Sequence, residues 1–261
     1  MMRRLTTVGA GALFLLAATA ATSSQAADDW SVTVSPYIWA SSLDGKAELA
    51  GLRTHIDVPF SDAMENLDLA ALAEVEIMRG RWGLYLDGQY VKSSQEQELL
   101  AQQLGLGITK VNAMAGVFYR IYDSPQGGDM VTGEPRRFVV EPMVGVRWTK
   151  LKADVDVLGF STSKKADWTE PFVGVRSSLD LNDRWNLSGQ ADVGGFDIDD
   201  KRSVNAQAFI GYRTHLLSRP AMLRAGYRVL YQSYEMDDFT GQTFRWDVTQ
   251  QGPVLGLSMG F

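Results

Sequence analysis

The chain has 261 residues, with 25 Lys+Arg against 31 Asp+Glu, two His and no Cys. Length and a 45% apolar content suit one folded domain and exclude a disordered chain. A net charge of −6 disfavours a nucleic-acid binder, and the missing Cys excludes disulfides, thiol nucleophiles and cysteine metal sites. No cofactor is implied.

Arg3 and Arg4 precede an apolar, small-residue run from Val8 to Ala21, then Ser24-Gln25-Ala26. This pattern predicts a signal peptide over 1–26, cleaved after Ala26. The run is shorter than the ~20 residues a spanning helix needs. The mature segment, 27–261, then carries 23 basic and 31 acidic residues. Its address is the periplasm, the outer membrane or the exterior.

The rest of the chain reads with period two. Trp82, Leu84, Leu86 and Tyr90 share one phase; Tyr85, Asp87 and Gln89 share the other. Similar alternation starts from Leu67, Arg137 and Ser203. The predicted strands are 30–42, 67–79, 82–94, 106–121, 137–151, 166–180, 185–198, 203–217, 222–235 and 245–261, ten in all. Most exceed the usual strand length and reach the roughly 9–11 residues that a tilted strand needs to cross a bilayer. The fold expected is all-β: a transmembrane, antiparallel, up-and-down β-barrel of about ten strands, with eight or twelve as alternatives.

Connections are short at Gly80-Arg81, 181–184 and 218–221, and longer at 43–66, 95–104, 152–165 and 236–244. Short turns on one side and longer loops on the other is the outer-membrane pattern. Residues 122–136 break it, as a long loop on the short-turn side. Trp30, Trp82, Trp148, Trp168, Trp185 and Trp246 fall near strand ends, where aromatic girdles sit. The chain finishes Leu255, Leu257, Met259, Phe261 at every second position. That ending suits recognition by the barrel-assembly machinery.

Pro36-Tyr37-Ile38-Trp39, Val58-Pro59-Phe60-Ser61-Asp62, Asn66-Leu67-Asp68 and Arg79-Gly80-Arg81-Trp82-Gly83 resemble a family of proteobacterial outer-membrane β-barrel proteins of unassigned function. More loosely the chain is similar to small OmpA-type barrels, without their peptidoglycan-binding domain. The resemblance implies a fold and a Gram-negative outer-membrane location. It supplies no catalytic residue.

Charge decides which face is inside. Lys110, Arg120, Arg137, Arg147, Arg176, Arg213, Arg224 and Arg228 share the polar phase with Glu74, Glu76, Asp87, Glu141, Glu170, Asp180 and Asp192. Each midplane cation facing lipid would cost roughly 2–4 kcal/mol. The polar phase therefore lines the interior. A soluble lipocalin-like barrel would reverse the faces.

Two near repeats, Glu141-Pro142-Met143-Val144-Gly145-Val146-Arg147 and Glu170-Pro171-Phe172-Val173-Gly174-Val175-Arg176, fall on consecutive strands. Opposed residues of an antiparallel pair have a constant index sum. Arg137 with Asp180, Glu141 with Arg176 and Arg147 with Glu170 each sum to 317. One register would thus set three ion pairs in the lumen. Gly-x-Arg recurs at Gly145, Gly174, Gly211 and Gly226; the glycines leave room for the arginines or relieve curvature.

Arg213, Arg224 and Arg228 have no obvious acidic partner on their own strands. Glu74, Glu76 and Asp87 could face them across the lumen, closing it or flanking a narrow wet passage. Small inward groups at Ser31, Thr33, Ser35, Gly256, Ser258 and Gly260 leave space beside them. The loop 43–66, with a capped helical turn at 61–65, lies outside the barrel or folds into that space.

The chemistry of an enzyme is poorly supported. His55 lies in the first long loop and His215 near the opposite end; Ser218 is out of phase with His215. Asp154, Asp156, Asp197, Asp199, Asp200, Asp237 and Asp238 read as solvated rim residues, or as a divalent-cation site shared with lipopolysaccharide phosphates. The expected function is that of a structural barrel or small passive pore with a charged lumen. A surface binding or adhesion module acting through extracellular loops is the alternative, and an outer-membrane hydrolase the remotest. Outer-membrane lipid and lipopolysaccharide are the expected partners.

Overall fold

The computed structural model describes residues 30–49, 52–65, 67–99, 102–157, 160–237 and 243–261. The expected signal peptide lies outside them.

Thirteen strands are present among the described residues: β1 Trp30–Trp39, β2 Ser42–Leu49, β3 Leu52–Val58, β4 Leu67–Arg79, β5 Trp82–Leu99, β6 Gln102–Tyr119, β7 Tyr122–Asp129, β8 Pro135–Val157, β9 Phe160–Asp180, β10 Trp185–Gly194, β11 Lys201–Leu216, β12 Arg219–Asp237 and β13 Thr243–Gly260. Ten of these form the wall, in the order β1-β4-β5-β6-β8-β9-β10-β11-β12-β13. Every neighbour is antiparallel, and β13 pairs back onto β1, closing the barrel. The closure joins Thr33 to Gly260 and Trp39 to Val254. Closure pairs the backbone polar groups around the half of the wall where β13, β1 and β4 run side by side.

The remaining strands extend the wall. After a bend at Ala40-Ser41, β2 continues the line of β1 along β13, from Gln251↔Ser42 to Arg245↔Glu48. β3 folds back on β2. The segment 43–66, expected as a loop inside or outside the lumen, is thus a hairpin carried on β13 and followed by the short helix α1 Phe60–Glu65. The lumen-filling alternative does not hold. The long loop expected at 122–136 is also largely strand. β7 prolongs β6 along the start of β8, from Tyr122↔Val140 to Asp129↔Pro135, so this hairpin projects beyond its neighbours.

The loops expected at 95–104 and 152–165 are shorter than the sequence suggested. β5 and β6 stay paired to Leu99↔Gln102, and β8 and β9 to Val157↔Phe160. At the opposite end, where Trp30 and Phe261 lie, the turns are tight. Leu217 and Ser218 take φ of 51° and 61° between β11 and β12, the twist-matched two-residue turn of a hairpin.

Alternation puts aliphatic side chains outside. Leu84, Leu86, Val144, Val146, Val173, Val175, Leu187, Val204, Ile210 and Leu255 are exposed. The intervening positions Tyr85, Asp87, Met143, Arg147, Phe172, Asn205 and Phe209 are buried.

Candidate functional site

The lumen of the barrel is the site, because the buried polar residues converge there. Arg147 and Arg228 are at most 2% exposed, as are Asn112, Thr149, Glu170, Asn186 and Asn205. Their partners lie on strands all around the wall.

The middle layer runs from side to side. Arg228 on β12 donates from Nη1 to Asp87 Oδ2 on β5 at 2.9 Å. Tyr37 on β1 donates its hydroxyl to Asp87 Oδ1 at 2.6 Å. Arg228 Nε donates to Asn205 Oδ1 at 3.0 Å, and Asn205 Nδ2 to Asp192 Oδ2 at 2.7 Å. Arg147 Nη2 binds the other oxygen of Asp192. Arg147 Nη1 reaches Glu170 at 2.9 Å and Ser203 at 2.5 Å. The chain of bonds therefore touches β1, β5, β12, β11, β10, β8 and β9.

Towards the termini lies a second layer. Arg224 meets Glu74 at 3.2 Å, and Arg176 meets Glu76 at 2.7 Å and Glu141 at 3.3 Å. Arg120 also takes Glu141, at 2.8 Å. Arg213 holds Asp180 at 2.5 Å, with Asn186 on the same carboxylate oxygen at 2.8 Å. A cavity of about 210 Å³ lies in this layer. Thr33, Ser35 and Ser258 line it, where the small groups of the first and last strands leave room.

Further from Trp30 and Phe261 the lumen contacts are mostly between uncharged groups. Gln232 on β12 donates to Thr149 Oγ1 on β8 at 3.0 Å, and Asn112 to the same oxygen at 3.1 Å. Lys110 Nζ donates to Gln250 at 2.6 Å. Trp168 stacks on Tyr234 with ring centroids 4.6 Å apart. Trp168 is 4% exposed, so it belongs to the lumen and not to an outer girdle. Its phase on β9 matches Glu170 and Phe172, which settles the matter. Trp30, Trp82 and Trp185 are exposed at the terminal end, as a girdle requires.

The register of β8 and β9 holds the index sum of 317 from Phe138↔Leu179 to Val157↔Phe160. Glu141 with Arg176 and Arg147 with Glu170 are opposed and ion-paired. The third expected pair does not form. Arg137 donates only its backbone N–H to Asp180 Oδ2, at 2.9 Å. Its guanidinium binds Asp123 at 2.6 Å and is 47% exposed. The reason is β7, which places Asp123 beside the start of β8. Arg137 therefore lies at the rim, outside the lumen network, while Asp180 is taken by Arg213.

Two of the three cations expected to reach across the lumen do so, Arg224 to Glu74 and Arg228 to Asp87. Arg213 and Glu76 find Asp180 and Arg176 instead. Tyr37, Asn205 and Ser203 belong to the network as well, though the charge pattern does not mark them. Their phase, shared with Ser35 and Gln207, was the available signal.

The glycines of Gly-x-Arg make room for neighbours other than the arginines. A Cβ on Gly145 would lie 2.6 Å from the Phe172 ring, and one on Gly226 2.4 Å from Phe209. The rings of adjacent strands lie over these glycines. Arg176 and Arg224 in turn lie over Phe118 and Phe209, each 4.3 Å from the ring centroid.

Charge inside is balanced. Among the described residues, Glu74, Glu76, Asp87, Glu141, Glu170, Asp180 and Asp192 face Lys110, Arg120, Arg147, Arg176, Arg213, Arg224 and Arg228. An aliphatic exterior around a charged, closed interior is stable only with hydrocarbon outside. Among the described residues no helix is long and apolar enough to cross a membrane; the strands cross it.

The chain is an outer-membrane β-barrel. The end with the tight turns, which holds Trp30 and Phe261, is the periplasmic one by the rule of short periplasmic turns. No family model matches the chain, and no curated protein matches it. Solved outer-membrane barrels are similar in architecture. The attachment invasion locus protein Ail of Yersinia pestis has 10% identity and a TM-score of 0.37, over 89% of this chain and 98% of that one. The outer membrane protease OmpT of Escherichia coli has 8% identity and a TM-score of 0.47, over 90% and 97%. OprG of Pseudomonas aeruginosa has 13% identity and a TM-score of 0.37, over 89% and 95%.

The two histidines stand at opposite ends. His55 on β3 faces Asp44 on β2 at 3.8 Å, both well exposed. His215 is exposed beside the periplasmic turn of β11 and β12.

Proposed function

We propose that this barrel is a non-conducting outer-membrane scaffold that acts through its extracellular walls, as a surface binding module without a catalytic role. The observation that carries this reading is the middle layer of the lumen. A passage for ions needs a continuous wet path, and here Arg147, Arg228 and Asn205 are buried in the centre, bonded from wall to wall. That arrangement speaks against the passive pore.

The lengths of the strands support the second half of the reading. β8 has 23 residues and β9 has 21, against the roughly 9–11 that a crossing needs. Apart from the start of β8 that pairs with β7, the surplus lies above the aliphatic belt, where Lys150 is opposed to Asp167 and Lys152 to Lys165. A paired wall outside the membrane is a suitable surface for a macromolecular partner. Assembly through the C-terminal strand fits the same picture, since β13 pairs along its length with β12 and ends with Phe261 bound to Val32.

The test has two arms. The refolded mature chain in planar bilayers should give no channel steps, while a variant with Arg147, Asp192 and Arg228 all changed to Ala should give them. Cells displaying the barrel should adhere to an extracellular-matrix surface, and cells displaying a barrel with β8 and β9 cut back to Thr149 and Trp168 should not. Steady conductance by the unaltered chain would overturn the closed lumen. Undiminished adhesion by the shortened barrel would overturn the role of the walls.

A further inference from the structure

The wall is not continuous between β1 and β4. Their ladder runs from Trp30↔Arg79 to Pro36↔Ala73 and ends there. Above this point Tyr37, Ile38 and Trp39 are paired with β13 alone. Ala70, Ala71 and Leu72 are paired with β5 alone. β2 and β3 then continue on the β13 side, so β3 and β4 are facing edges. A gap opens in the half of the wall away from the periplasm.

Burial along β4 records the same gap. Leu69, Ala70 and Ala71 are exposed in succession, whereas Glu74, lower on the strand, is buried. Ala70 has the inward phase of Leu72 and Glu74, so its exposure marks missing cover on the lumen side. The inner lip is apolar: Leu72 packs on the lumen cluster of Trp39, Phe209, Leu230 and Val254. Trp39 is 8% exposed, and its indole Nε1 is buried without a hydrogen-bond partner. The outer lip carries Ile38 and Leu69, 65% and 52% exposed, continuous with the aliphatic belt.

We propose that the gap between β1 and β4 is a binding groove for an outer-leaflet lipid. One acyl chain lies against Trp39 and Leu72, and its ester or amide carbonyl faces the open edge of β4. Three features select that chemistry. Continuity with the belt makes hydrocarbon the surrounding medium. The open strand edge offers backbone donors, which a carbonyl can accept and a plain alkane cannot. The apolar lip beside it suits the chain. This groove is independent of the closed-lumen reading, and either can fail alone.

The experiment uses the unaltered mature chain, refolded into vesicles of a phospholipid with a diazirine on its acyl chain. After irradiation, adducts are mapped by mass spectrometry. The expected result is labelling of the inward-phase residues Trp39 and Leu72 as well as the outward Ile38 and Ala71. Labels on Ile38 and Ala71, with none on Trp39 or Leu72, would overturn the proposal. A second measurement uses the absence of native cysteine. Val34→Cys with Val75→Cys, opposed in the ladder, should oxidise readily to a disulfide. Ile38→Cys with Ala71→Cys continues the same register and phase, and should not. Equal yields from the two pairs would show a closed seam and also overturn the groove.

Discussion

Arg228 and Asp87 stand on strands that are not neighbours, yet their side chains meet at 2.9 Å in the centre of the lumen. Neither is more than 2% exposed. Losing one partner would leave a full charge with no water to receive it. Breaking such a pair costs about 3–5 kcal/mol, whereas replacing both members by apolar residues is often near neutral. Asp87→Leu should therefore lower the urea midpoint of the refolded barrel sharply. Adding Arg228→Met should restore most of the loss, and a double variant no better than the single one would contradict the pairing.

Arg147 and Arg137 should respond very differently, although they lie on one strand. Arg147 spans Glu170 and Asp192 with a fork that a lysine ammonium cannot reproduce. Arg147→Lys should cost roughly 2 kcal/mol or more, in the range of charged hydrogen bonds left unmade. Arg137→Ala removes a half-exposed rim pair with Asp123, for which about 1 kcal/mol is an upper expectation. Denaturant titrations of the two variants check the difference.

Gly145→Ala is predicted to harm folding despite its small size. The new Cβ would sit 2.2 Å from the Ala115 carbonyl oxygen and 2.7 Å from Gly116 Cα, both backbone atoms that cannot swing away. Overpacking of this kind costs about 1–3 kcal/mol. Ala73→Gly, outside in the lipid belt, serves as the control. The fraction of heat-modifiable protein after refolding is the readout.

Much of this was legible from phase alone. Period-two alternation placed Asp87, Glu141 and Arg176 inside and Val144 outside, and the index sum fixed the register of β8 and β9. Proline and loop composition were less informative. The segment 43–66 has too many polar residues for a clear alternation, so its pairing onto β13 depends on the bend at Ala40-Ser41, which no pattern announces. Arg137 escapes the pattern for a similar reason: β7 opens with Tyr122, Asp123, Ser124 and Pro125, a turn-like string that pairs with β8 as a prolongation of β6. Partners on distant strands, such as Arg213 with Asp180, depend on barrel closure and side-chain reach. A one-dimensional pattern does not encode either.

The sidedness of the wall underlies every other statement, and nitroxide accessibility measures it directly. The chain has no cysteine, so single sites can be labelled cleanly. In vesicles, labels at Ala73, Val144 and Ala208 should relax strongly with oxygen and weakly with a water-soluble nickel complex. Labels at Glu74, Ser203 and Gln207, buried in the lumen, should be shielded from oxygen. The reverse pattern, with Glu74 and Gln207 in contact with hydrocarbon, would contradict the account.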